Sequence, residues 1–69
     1  MKLRRIVARN LKHLRQEKGM SQEELADSAE INRNYVGMVE RSENAATVDM
    51  LEKLADALGA KPIDFFREE

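Results

Sequence analysis

The chain has 69 residues, 42% of them hydrophobic and 36% charged, with a formal net charge of −1 at pH 7. One domain fills that length, 1–69, and a chain so short buries only about 60% of its unfolded surface, so its margin of stability is thin. The lack of cysteine excludes a disulfide framework and thiolate metal sites and fits a reducing cytoplasm, while apolar runs of two or three residues exclude a membrane-spanning helix.

Charge is distributed unevenly. Residues 1–20 hold Lys2, Arg4, Arg5, Arg9, Lys12, Arg15 and Lys18 against Glu17 alone, a balance of +6; residues 42–69 have a balance of −4. A small polarised domain of this kind can orient itself on a polyanion. The basic start, MKLRRIVARN, has no continuous apolar stretch, so no secretory leader is expected.

The first helix is expected over residues 3–18, where Leu3, Ile6, Val7, Leu11 and Leu14 recur at helical spacing, and Gly19 ends it. Ser21 then offers a side-chain oxygen to the free amides of a second helix, 22–29. Glu24 completes a capping box, and Met20 and Leu25 are placed to form a hydrophobic staple. The third helix, 33–40, repeats the device with Asn32 as cap and Ile31 facing Val36. Val36 and Val39 point inwards with Leu25, Ala26 and Ala29. After a loop at 42–46, Thr47 caps a fourth helix, 48–58, with Leu51, Leu54, Ala55 and Leu58 as its buried stripe and Gly59 as terminator. A short fifth helix is expected from Pro62, carrying Ile63, Phe65 and Phe66. No stretch alternates with period two, so the fold class is all-α, a compact bundle of five helices.

Catalytic groupings are missing. His13 is the only histidine and there is no cysteine, so neither a zinc site nor a histidine-activated nucleophile can be assembled. The glycines, Gly19, Gly37 and Gly59, are too far apart for a phosphate loop, and no cofactor or small-molecule ligand is indicated. Glu23, Asp27 and Glu30 share a helix face, but three exposed carboxylates on one helix do not enclose a cation.

Two short capped helices in tandem, the second opening on polar residues, describe a helix-turn-helix, and double-stranded DNA is the expected partner. Gln22 opens the second helix, where free backbone N–H groups suit a phosphate. Arg33 and Asn34 open the third, where side chains reach base edges: arginine pairs with guanine and asparagine with adenine. A phosphate contact is the alternative for Arg33. Met38 lies one turn further along that face, either against a thymine methyl or partly buried beneath the loop. Gly37 in a helix interior costs about 1 kcal/mol relative to alanine, which close DNA approach or tight packing on the second helix would offset. Tyr35 is either a phosphate or sugar contact or a half-buried structural ring. The cap Asn32 and the trailing Arg41 complete the DNA-facing set.

These residues also carry a resemblance. SQEELA at 21–26, Ile31, YVGMVER at 35–41, LADALG at 54–59, and Asn10, Leu11, Leu14 and Arg15 upstream resemble the Cro and C1 repressor family of bacterial regulators, also called the XRE family. That resemblance implies a lambda-repressor-like domain, with Gln22 on a phosphate, Arg33 and Asn34 on bases, and Arg41 on the backbone. It also implies an Arg15–Glu40 ion pair tying the first helix to the third, and a homodimer through the last helix, here by Ile63 and Phe66. In some phage repressors of the family, acidic residues at the positions of Glu23 and Asp27 touch RNA polymerase. Phage repressors and restriction–modification controllers both occur among its small members. The chain departs from the family at two turns, with Glu30 and Ser42 where glycine is usual. The alternative function is a protein-interaction module, an antitoxin or assembly partner, which the acidic C-terminal half would suit.

Overall fold

The computed structural model describes residues 3–68. Four α-helices, α1 (Leu3–Glu17), α2 (Gln22–Ala29), α3 (Arg33–Glu40) and α4 (Val48–Leu58), precede a 3-10 helix at Pro62–Phe66, and no strand occurs among the described residues. Each α-helix start after the first has the cap its sequence prescribes. Ser21 Oγ accepts from Glu24 N–H at 3.0 Å while Glu24 Oε1 accepts from Ser21 N–H at 2.8 Å. Asn32 Oδ1 accepts from Asn34 N–H, and Thr47 Oγ1 from Met50 N–H. Met20 and Ile31, expected as staples, are half-buried against the core.

The core joins all five elements. α1 packs on α3 and on the 3-10 helix, and α2 packs on α3 and α4. Leu11, Leu25, Val36, Leu54 and Phe65 are fully buried, and α4 buries its expected stripe of Leu51, Leu54, Ala55 and Leu58. On α1 the apolar face is narrower than its spacing suggests: Val7 and Leu11 are buried, Ile6 and Leu14 are half-buried, and Leu3 is exposed.

The expected fifth α-helix is instead a single 3-10 turn. Asp64 N–H donates to Lys61 O, three residues back, at 2.8 Å, and Asp64 Oδ2 accepts from Lys61 N–H. Side chains of α1 hold the chain where it leaves this turn. Asn10 Nδ2 donates to Phe65 O and Arg67 O, at 2.8 and 2.7 Å, and Arg9 Nη2 donates to Arg67 O. Phe65 is the anchor of this segment. Its burial is worth about 2–3 kcal/mol, while Ile63 and Phe66 stay exposed.

Four turns share one geometry, the one at Gly19 (φ 74°) after α1 included. Gly59, with φ 66°, donates to Asp56 O while Ala60 N–H donates to Ala55 O, closing α4 in a left-handed cap. Glu30 (φ 59°) repeats this after α2, with bonds to Asp27 O and from Ile31 N–H to Ala26 O. Ser42 (φ 61°) repeats it after α3, with bonds to Val39 O and from Glu43 N–H to Met38 O. A residue with a Cβ pays roughly 1 kcal/mol for that conformation, so the turn inside the α2–α3 motif and the turn after it hold strain that the glycine-closed ends of α1 and α4 avoid.

Candidate nucleic-acid interface

The site is built on an ion pair whose side chains are largely buried, 11% and 4% exposed. Arg15, near the end of α1, donates through Nε and Nη2 to Glu40 at 2.6 and 3.1 Å, and through Nη1 to Met20 O at 2.8 Å. One guanidinium therefore fixes the α1–α2 turn and the last turn of α3 together. Gln22 Nε2 adds a third bond to Glu40, at 3.0 Å, so the start of α2 is tied to the end of α3. No buried side-chain polar atom among the described residues lacks a partner.

Outside this pair an open cleft runs along α2 and α3. Gln22, Asn32, Arg33, Asn34, Gly37, Met38 and Arg41 line it, together with Glu23 and Glu43. Seven of the eight residues expected to face DNA are thus brought to one surface; Tyr35 is the exception. Its ring is half-buried against the core, and its hydroxyl donates to Ala45 O at 3.3 Å, bracing the loop after α3.

Individual side chains differ from the simplest expectation. Arg33 and Asn34 are exposed at the first turn of α3, as base-reading residues must be. Asn32 spends its carbonyl oxygen on its own helix cap. Gln22 has its amide nitrogen committed to Glu40, while its side-chain oxygen lies over Gly37. Met38 is half-buried at the cleft wall. A Cβ added at Gly37 would lie 3.0 Å from Arg41 Nη1 and 3.1 Å from Gln22 Oε1, so those two side-chain tips would have to give way slightly to admit it.

Glu23 and Glu43 were not anticipated as cleft residues. Glu23 Oε1 lies 3.0 Å from Arg33 Nη2. Glu43 accepts two bonds from Arg41, at 3.0 and 3.2 Å; that hydrogen bonding, with the charge of Arg41, holds its carboxyl below the usual carboxylate range. Arg33 and Glu23 belong to different helices, so only the crossing of α2 on α3 reveals that pair. Glu43 could have been found from Ser42, because a left-handed residue there folds the chain back.

Away from the cleft, Leu3, Val48 and Phe66 are exposed and line a mainly apolar depression floored by Val7, Val39 and Leu51. Ile63 does not line it. Among the described residues no group of three or more metal-ligating side chains is placed to hold an ion, and no helix is long and apolar enough to cross a membrane.

Known proteins share both sequence and shape. The sequence profile of the Helix-turn-helix family matches residues 11–66. An HTH-type transcriptional regulator of Sinorhizobium fredii, y4dJ, is 36% identical over 93% of this chain and 83% of its own length. The control protein C.SmaI of Serratia marcescens is 40% identical over 84% of this chain and 69% of its own. The crystal structure of the restriction-modification controller protein C.AhdI from Aeromonas hydrophila superposes with a TM-score of 0.88 at 38% identity, covering 91% of this chain and 96% of that one.

Proposed function

The chain belongs to the helix-turn-helix family matched over residues 11–66, and we propose that it is a sequence-specific DNA-binding transcription regulator reading the major groove with α3. The observation that carries this is the exposed first turn of α3, where Arg33 and Asn34 line one cleft with Gln22, the residue that opens α2. Arg33 reads a guanine edge and Asn34 an adenine edge, while Gln22 and Arg41 meet the sugar–phosphate backbone. The Arg15–Glu40 pair sets the angle at which α3 enters the groove. None of the cleft side chains supports an enzymatic reading.

The working form is a homodimer on a two-fold site in the cytoplasm, because one reading helix offers a small footprint and symmetry doubles it. Ile63 and Phe66 remain the proposed dimer residues, and the exposed Leu3 and Val48 extend the apolar surface on the Phe66 side. Within the family, the likeness to C.SmaI and C.AhdI supports a restriction–modification controller over a phage repressor. Polymerase contact through Glu23 and Asp27 gains no support, since Glu23 is drawn to Arg33.

Selection of bound duplexes from a random pool tests the reading. The recovered site is two-fold symmetric, with half-sites about one helical turn apart. Arg33→Ala then costs about 1–3 kcal/mol on that duplex and relaxes preference at one base pair per half-site. Equal losses on selected and random DNA would remove the base-contact role, and an asymmetric site would remove the dimer.

A further inference from the structure

Both arginines of the α2–α3 cleft are already paired in the protein alone. Arg33 is held by Glu23 at one end, and Arg41 is held by both carboxylate oxygens of Glu43 at the other. Glu43 is not a loose side chain that happens to fall there. Ser42 at φ 61° and the 2.9 Å bond from Glu43 N–H to Met38 O turn the chain back over the end of α3. The charged residues lining the cleft are these two arginines and these two glutamates, so the surface carries no net charge.

Resting on the DNA-binding reading above, we infer that Glu23 and Glu43 are specificity-determining residues, carboxylates that occupy Arg33 and Arg41 until a matching sequence displaces them. Binding to arbitrary DNA comes almost wholly from cations that neutralise phosphates and release counterions. An arginine that leaves a carboxylate for a phosphate only exchanges one anion for another. It also leaves a bare carboxylate beside the polyanion, so arbitrary DNA gains little from this face. A guanine in register adds a bidentate contact that no phosphate supplies, and there the exchange becomes favourable. The glutamates thus penalise wrong partners more than the right one. Attraction to DNA at large is left to cations outside the cleft, such as Arg5 and Lys12 on α1, which take part in no ion pair among the described residues.

Fluorescence anisotropy on two labelled duplexes, one selected from a random pool and one scrambled, tests this across a potassium chloride series. The proteins are wild type, Glu43→Gln, Glu23→Gln, the double variant, and Glu52→Gln as an α4 control outside the cleft. Far-UV circular dichroism confirms that each is folded. The cleft variants bind the scrambled duplex several-fold more tightly, with a salt slope steeper by about one per arginine released. The selected duplex gains less, so the ratio of the two affinities falls; Glu52→Gln leaves that ratio unchanged. If the cleft variants shift both duplexes by one common factor, or leave scrambled binding and its slope unaltered, the inference is overturned. A wild-type protein that binds neither duplex would instead remove the DNA-binding reading itself.

Discussion

Arg15–Glu40 and Arg33–Glu23 join the same two residue types, at 2.6 and 3.0 Å, yet the first pair is 11% and 4% exposed and the second 63% and 67%. That difference assigns them different work. The inner pair is closed off by Met20 O and Gln22, so every charged atom of it has a partner and water has little access. The outer pair costs little to open, because water screens it and solvates both halves when they part. A carboxylate beside an arginine therefore means architecture in one place and an exchangeable contact some residues away. Only burial tells the two apart.

The largest expected effect comes from breaking the inner pair on one side. Glu40→Ala leaves the Arg15 guanidinium buried without its partner, which costs about 3–5 kcal/mol. In a domain with so thin a margin, that is enough to populate the unfolded state at room temperature. Arg15→Met combined with Glu40→Leu removes both charges and fills the space, and it should recover most of the loss. Urea titration of the two variants checks this. A double variant as unstable as Glu40→Ala would show that the ionic pair itself, rather than the avoidance of a lone buried charge, holds α1 to α3.

Much of this arrangement was legible in the sequence, for identifiable reasons. The caps at Ser21, Asn32 and Thr47 are local devices, readable from a few consecutive residues, and α2, α3 and α4 begin and end where those signals place them. The Arg15–Glu40 pair was legible only through the family resemblance, because 25 positions separate its members. The 3-10 turn was misread as a fifth α-helix. Pro62 marks a helix start equally well for either form, and the side chains that hold the chain just after it, Arg9 and Asn10, lie at the far end of the sequence. Tyr35 was left open between two roles, and its bond to Ala45 O depends on a loop path that no periodicity encodes. The neutralised cleft was missed for the same reason: a helix crossing and a left-handed serine create it.

Relieving the turn between α2 and α3, without touching any pair, sharpens the comparison. Glu30 holds φ 59° and ψ 46°, and glycine adopts that conformation without a Cβ clash. Glu30→Gly should stabilise the domain by roughly 1 kcal/mol, the order of the left-handed penalty, raising Tm by about 4–8 °C in a domain of this size. Ser42→Gly, at φ 61°, should act in the same direction. Gly59→Ala is the mirror experiment and should lower Tm, since φ is 66° there. If the inner pair alone fixes the angle of α3, Glu30→Gly leaves the affinity for the selected duplex unchanged. A fall in Tm on Glu30→Gly would show that the carboxylate or its Cβ makes contacts worth more than the strain.

The smallest expected effect concerns the outer pair, and its smallness is the point. Exposed pairs of this kind contribute about 0.2–1 kcal/mol, because each side chain gives up rotamer freedom for an attraction that water and salt weaken. Glu23→Gln keeps the shape of the side chain and a hydrogen-bond acceptor for Arg33, so its effect on stability should sit at the low end of that range. Raising salt from about 0.05 to 1 M shortens the screening length from over 10 Å to about 3 Å. Whatever Glu23 contributes should vanish over that range, whereas the penalty of Glu40→Ala should persist, since the inner pair is shielded from counterions. Thermal melts of wild type, Glu23→Gln and Glu40→Ala at both salt concentrations therefore form one experiment. A Glu23→Gln deficit of more than about 1 kcal/mol that survives high salt would mean that Arg33–Glu23 is part of the scaffold. Arg33 would then be held too firmly to exchange its carboxylate for a base.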